Sequence, residues 1–237
     1  MFRLAYCPAM PVIWLSHVLS PETPMYSGSG RVEITAERSI ASGDTSNSTH
    51  LALPAHSGTH VDAPVHFVED GASIDQYDAQ TWIAERPALI DVPCQPGELI
   101  GIHRIQADLD ELHPDTDMLL LRTGAQRWRT SSVASDRENF ESHGPGIGLD
   151  LAAWLREELE LAFLGVDAIS ISSPDHREVG REAHRILLGP HHSGRQAVRL
   201  IEDMDLAALP RSPNRVLVAP LRMLGGDGAP VTVFAEV

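Results

Sequence analysis

Cysteine and basic residues are what this chain of 237 residues has least of. Its two cysteines, Cys7 and Cys94, stand far apart. With no C-x-x-C pair they make neither a disulfide framework nor a thiolate zinc knot, and the chain suits a reducing compartment. Against 33 Asp and Glu there are only 18 Lys and Arg, a formal charge of −15. That excess disfavours nucleic acid and anionic membranes as principal partners and leaves small molecules or proteins. No window approaches the ~18 apolar residues of a membrane-spanning helix. The stretch from Met1 to Leu15 is interrupted by Pro8 and Pro11 and is followed by no small-residue cleavage site. It reads as an irregular lead-in with Met10 as an alternative initiator, and the protein is expected in the cytoplasm. A P-loop, G-x-S-x-G and H-E-x-x-H are also missing, and Gly28-Ser29-Gly30 lacks the third glycine and preceding strand of a dinucleotide fingerprint. Asn47-Ser48-Thr49 matches a glycosylation pattern that short sequences meet by chance.

What is present is ordinary globular material. With 43% apolar and 22% charged residues, a sizeable core forms without staples, and no composition break divides residues 1–237 into two domains. Short apolar runs bounded by turn residues predict buried strands at Leu51 to Leu53, Ala88 to Val92, Met118 to Leu121, Leu161 to Val166, Val216 to Ala219 and Val231 to Ala235. Helical spacing joins Ile102, Ile105, Leu109 and Leu112, and again Leu151, Trp154, Leu155 and Leu159. A further helix is expected over Arg181 to Leu188. Thr130 to Gly148, polar and closing on Gly144-Pro145-Gly146, reads as a long loop of the kind that covers sites. The chain is therefore α/β without strict alternation.

Histidine is the abundant oddity, with 12 in the chain. His56, His60, Asp62 and His66 fall within eleven residues. Two imidazoles and a carboxylate are natural ligands for zinc or manganese and leave coordination positions open, as a catalytic site requires. In a straight strand His56 and His60 would lie about 13 Å apart, too far to share one ion. The backbone must bend between them, and Gly58 supplies the dihedral freedom for it. Extended geometry beyond the bend projects His60 and Asp62 the same way. The bland alternative is a loop merely rich in histidine, each ring solvated or hydrogen-bonded.

The stretch His56 to Phe67 matches H-x-G-T-H-x-D-x-P-x-H-F at every defined position. It resembles the cyclase-like metal-dependent hydrolases, a family that includes bacterial kynurenine formamidase and isatin hydrolase. Flanking segments extend the resemblance: Trp14-Leu15-Ser16-His17, Pro21-Glu22-Thr23-Pro24, Leu120-Leu121-Arg122-Thr123-Gly124, Gly165-Val166-Asp167, Ala183-His184-Arg185, Ile201-Glu202 and Gly225-Gly226-Asp227-Gly228-Ala229-Pro230. The resemblance implies a three-layer β/β/α fold of the swivelling type. It also implies a divalent metal, Zn2+ or Mn2+, on His56, His60 and Asp62, with His66 as acid–base catalyst. A second ion would share Asp62 and add His184 and Glu202. Homo-oligomers, a dimer or a tetramer, are expected too, with the Pro21 to Gly30 arm as an exchange element. Tyr26 stands where relatives often carry a pocket-lining Trp and can stack on a planar substrate.

One departure bears on metal count. Glu202 follows His184 by eighteen residues where the family usually has about a dozen, so the segment around Gly189 to Arg195 looks like a six-residue insertion. Loops absorb such additions cheaply, which favours two metals over one. Within it His191 and His192 read as an exposed turn, since consecutive side chains rarely converge. His17 either positions substrate or fills the core, Arg122 is a structural ion-pair partner or a substrate clamp, and Cys94 is a packed thiol.

The chemistry these residues imply is hydrolysis of a C–N amide bond in a small aromatic substrate, an arylformamide such as N-formylkynurenine or a cyclic amide such as isatin. Metal-bound hydroxide would attack the carbonyl while His66 carries the proton to the leaving nitrogen. The alternatives are a cyclase or dehydratase acting on a carbonyl or polyketide, and a binding protein in which the metal is structural.

Overall fold

In the computed structural model, which describes residues 11–237, the apolar run from Met118 lies at the heart of a mixed α/β fold. Cys7 and Met10 fall outside the described residues. The strands in chain order are β1 (Val12–Trp14), β2 (Glu33–Arg38), β3 (Ser48–Ala52), β4 (His60–Asp62), β5 (Ile83–Ala84), β6 (Pro87–Asp91) and β7 (Leu99–Ile100). There follow β8 (Met118–Arg122), β9 (Gly146–Ile147), β10 (Phe163–Val166), β11 (Arg199–Glu202), β12 (Arg215–Pro220) and β13 (Gly228–Glu236). The α-helices are α1 (Gln106–Asp110), α2 (Gln126–Arg129), α3 (Ala134–Ser142), α4 (Leu149–Glu158) and α5 (Arg177–Leu188).

Nine strands form one sheet in the order β5-β12-β13-β4-β11-β10-β8-β6, with β1 beside β13. On one side β6, β8, β10 and β11 run parallel; on the other β4, β13, β12 and β5 pair antiparallel. Parallel strands need crossovers, and α2 to α5 supply them in the β8–β10 and β10–β11 connections. Strand β8 is buried on both faces, which is why its sequence is continuously apolar instead of alternating. Leu119, Leu121, Leu164, Val166 and Leu200 pack into a core with Leu151, Leu155, Ala183 and Leu187 of the helices. Met118, Leu120, Phe163 and Ile201 face the other way, into a second core shared with Val216, Val218, Val231 and Val233. Strands from opposite parts of the sheet order meet in that second core, so the sheet curls over onto itself.

The strands expected from Ala88, Met118, Leu161, Val216 and Val231 form, as does the helix around Leu151. Three expectations are corrected. Leu51 belongs not to a buried strand but to β3, which pairs only with β2 in a hairpin whose residues are almost all exposed on both faces. The polar Thr130 to Gly148 segment holds α3, fastened to the core by one fully buried side chain, Phe140. A single anchor leaves no periodic pattern to read. The Pro21 to Gly30 arm, expected as an exchange element with little of its own chain to pack on, buries Thr23 and Met25, 4% and 5% exposed, against that chain.

Candidate metal centre

The bend predicted at Gly58 is present: its φ is +62°, and a Cβ there would come within 2.7 Å of Leu19 Cδ2. It turns His56 back over β4, where His60 and Asp62 project to one side. Strand β4 lies between β11 and β13, bringing Glu202 opposite His60 and Gly228 opposite Asp62. Gly228 is required where it stands, because a Cβ would lie 2.5 Å from the His56 ring. Helix α5 turns Gly180, Ala183, His184, Leu187 and Leu188 inward. His184 thus occupies the apolar face of a helix, and Gly180 lets that helix close onto Ser172, which any Cβ would strike.

Asp62 is the hinge of the arrangement. Its Oδ1 lies 2.8 Å from His56 Nδ1 and 3.5 Å from His60 Nε2, while its Oδ2 lies 3.5 Å from His184 Nε2. Glu202 Oε1 is 3.4 Å from His184 Nε2, and Oε2 is 3.3 Å from His60 Nε2. Two sets of potential ligands result, His56, His60 and Asp62, and Asp62, His184 and Glu202. Spacings near 3.4 Å are those of donors around an ion at about 2.1 Å. The rings are oriented from behind: the second nitrogens of His60 and His184 face the Gly58 and Gly180 carbonyls at 2.8 and 2.7 Å. If each Nδ1–H donates there, each Nε2 lone pair is left for the centre. Glu202 Oε1 accepts from Ser170 Oγ and the Ile171 amide at 2.9 and 2.7 Å.

Electrostatics test the fit of a metal. Asp62 and Glu202 side chains are 1% and 4% exposed, and two buried carboxylates need positive charge beside them. Burial and the neighbouring Asp62 would raise the Glu202 pKa, but hydrogen bonds from His184 and His60 outweigh them and bring it to about 2. Asp62 is likewise held well below the usual carboxylate range: burial opposes this, and His184 and His56 prevail. Burial depresses the histidines, yet Asp62 and Asp227 lift His56 to about 9, and Asp62 and Glu202 lift His184 to about 10 and His60 in the same direction. Protons on these imidazoles do what a cation would. The donor set of imidazole and carboxylate fits a borderline divalent ion.

His66 differs from its neighbours. Burial lowers its pKa, so it is neutral at neutral pH, and its ring lies 4.1 Å from that of His56. Its Nδ1 is 3.3 Å from Asp227 Oδ2, which also lies 3.0 Å from His56 Nε2. Asp227 thus orients the acid–base candidate and one candidate ligand together. The sequence motif containing it was visible, but nothing in it showed that residues 161 positions apart meet.

Around the centre lies a cavity of about 310 Å3, with Pro24, Tyr26, Phe67 and Ile169 as apolar wall and Arg177 and Arg181 of α5 on its lining. Tyr26 is there as expected, its hydroxyl 3.4 Å from Ser172 Oγ. His17 is not. It lines a separate groove with Trp14 and Leu221, its Nε2 3.9 Å from Asp203, because its backbone is tied to Thr59 on the side away from the cavity. Arg122 is a structural partner, paired with Asp91 and donating to the Leu206 and Leu209 carbonyls. Cys94 is a packed thiol, 1% exposed, with its pKa pushed up to about 11 by burial.

Fold and site together define a mixed α/β protein with a cluster of potential metal ligands gathered around Asp62 at the edge of a small, partly apolar cavity. Residues 13–173 match the Cyclase family model, described as "Putative cyclase", and the chain belongs to that family. It is 28% identical over 229 residues to cyclase-like protein 1 of Arabidopsis thaliana, covering 91% of this chain and 81% of that one. To a kynurenine formamidase of Bacillus cereus it is 25% identical over 186 residues, 76% of each chain. The solved isatin hydrolase A from Labrenzia aggregata bound to benzyl benzoate superposes with a TM-score of 0.80 at 22% identity, covering 96% of this chain and 93% of that one. Among the described residues no helix is long and apolar enough to cross a membrane.

Proposed function

We propose that this chain is a metal-dependent hydrolase that opens a C–N amide bond of a small aromatic substrate, an arylformamide or a cyclic amide such as isatin. The observation that carries the reading is the two-faced Asp62, which offers one oxygen towards His56 and His60 and the other towards His184, beside a neutral histidine on an apolar cavity. His56, His60 and Asp62 would hold one divalent ion, and Asp62, His184 and Glu202 a second. Such ions supply Lewis acidity, acidifying water and polarising a carbonyl. His66, fixed by Asp227, takes a proton from the attacking water and returns it to the leaving nitrogen, for which a neutral imidazole is suited. Tyr26 and Phe67 flank the aromatic ring of the substrate. Arg177, whose guanidinium meets Ser27 Oγ at 3.0 Å, is placed to receive a carboxylate on its tail. Kinship with a kynurenine formamidase and an isatin hydrolase supports amide opening over ring formation.

In this reading the curled sheet and its helices are the three-layer swivelling arrangement, and the described residues 11–237 form one domain. The exposed β2–β3 hairpin supports assembly with a second copy, since an isolated two-stranded ribbon is marginal in water. Purification without chelators, metal analysis, and a spectrophotometric screen of arylformamides, isatins, cyclic imides and lactones test the proposal. Amide opening that follows metal content supports it; full metal loading with no turnover on any of these overturns it.

A further inference from the structure

The segment that lengthens the connection between His184 and Glu202 is not a loose turn. Arg156, 4% exposed on α4, donates to the carbonyls of Gly189, Gln196 and Arg195 at 3.0, 3.1 and 3.3 Å, clasping both ends of the loop. Arg195 in turn donates to the Glu157 backbone oxygen. Between these ties, His191 and His192 converge, against the sequence expectation, with ring centroids 4.1 Å apart. His191 is 5% exposed in its side chain, and its Nε2 lies 3.0 Å from Glu157 Oε2. His192 Nδ1 is 4.0 Å from the same oxygen. All three ligand atoms lie within 4.8 Å of one another.

We propose that Glu157, His191 and His192 form an auxiliary site for a borderline divalent cation of the zinc, nickel or copper(II) kind, separate from the buried centre. Three features favour a site over a chance cluster. Two imidazoles and one carboxylate are a donor set that such ions prefer and that magnesium and calcium do not. The spacings bracket the ~3.4 Å separation of donors around an ion at about 2.1 Å, leaving a fourth position for water. His191 also carries its own orienting partner, for its Nδ1 lies 2.7 Å from Ser193 Oγ. Without an ion Nδ1 accepts from the Ser193 amide at 3.2 Å and Nε2 carries the ring hydrogen towards Glu157; an ion on Nε2 shifts that hydrogen to Nδ1, where the serine hydroxyl can accept it as readily as it donates. The cations beside it are engaged elsewhere: Arg195 by the Glu157 carbonyl and by Glu160 at 3.5 Å, and Arg156 by the loop carbonyls. An ion here would staple the loop to the end of α4, and that loop joins the helix bearing His184 to the strand bearing Glu202.

The test counts zinc equivalents by competition with a chromophoric chelator on the full chain after metal stripping, in wild type, His192→Ala and Glu157→Gln. His192 is 76% exposed in its side chain, so its removal leaves the fold intact, and Gln at 157 retains an acceptor for His191. Wild type should bind one equivalent more than either variant, with the buried equivalents and any hydrolase activity unchanged. Zinc should also slow tryptic cleavage after Arg195 in wild type alone. Equal stoichiometry and equal cleavage rates in the three proteins would overturn the proposal, whatever becomes of the buried centre's function.

Discussion

Loading the stripped protein with zinc or manganese at pH 7 should expel about two to three protons per chain. Asp62, Glu202 and Asp227 bring three negative charges to the centre, and without metal they hold protons on the facing imidazoles. With values of about 9 and 10, His56 and His184 are almost wholly protonated at neutrality; His60, raised as well, contributes up to one proton more. A ligand imidazole must be neutral, so each ion displaces these protons and its apparent affinity falls ~10-fold per pH unit per proton displaced. Two protons make that about 100-fold per unit for the pair of ions. The linkage has a second sign to check. Folded pKa values above 6.5 stabilise the stripped protein fully below that pH and are lost as pH rises towards 9 to 10. The depressed Glu202 stabilises above 4.5 and is lost as pH falls towards 2. The stripped form should therefore be most stable from pH 4.5 to 6.5, and the metal-loaded form at higher pH. Titration calorimetry in two buffers of different ionisation enthalpy reads the proton count directly. Full occupancy with no proton release at pH 7 would refute the argument that buried carboxylates govern these imidazoles.

Four further outcomes follow from the same geometry. His66→Ala should retain its metal and lose turnover by ~10^2–10^4-fold, the usual worth of a positioned acid–base group; metal analysis with kcat separates the two. Asp227→Asn, which loosens His66 and His56 at once, should lower activity or metal affinity by ~10–100-fold, and wild-type values in both would remove its orienting role. Elemental analysis of Glu202→Gln should find about one ion fewer per chain than wild type, compared in the His192→Ala background that lacks the auxiliary site; equal content and unchanged activity would sink the binuclear centre. Light scattering should show a dimer or larger, and removal of the β2–β3 hairpin should yield monomer; a wild-type monomer at micromolar concentration would refute assembly through that ribbon.

How much of this was legible in the sequence depended on the range of the interaction. His56, His60, Asp62 and His66 share one bend and one short strand, so their spacing alone announced them. Strand β8 announced itself too, because burial on both faces leaves an uninterrupted apolar run. Strand β1 and hairpin β2–β3 were obscured by the opposite condition: with faces largely exposed, nothing in their pattern demands one side of a sheet. Asp227 was quoted within a motif yet had no role, since its meeting with His66 depends on the long-range pairing of β13 with β4. His17 was drawn towards the cavity by the family resemblance alone, whereas the Thr59 hydroxyl holds its backbone on the other side.

The eighteen-residue separation of His184 and Glu202 does not set where the two side chains meet. Each residue is placed by its own element: His184 by the apolar face of α5, which Gly180 presses against Ser172, and Glu202 by β11, registered opposite His60. The strand and the helix are fixed by packing against β10 and α4, so the loop between them has only to close. A doubling of loop length costs about 0.6 kcal/mol in closure entropy. Arg156 offsets part of that by ordering the extra residues through three carbonyls, each hydrogen bond to a charged donor contributing about 1.5–3 kcal/mol before ordering entropy is subtracted. The loop is thereby held against α4, away from the ligands it connects, and the geometry around Asp62 is left to the strands that create it.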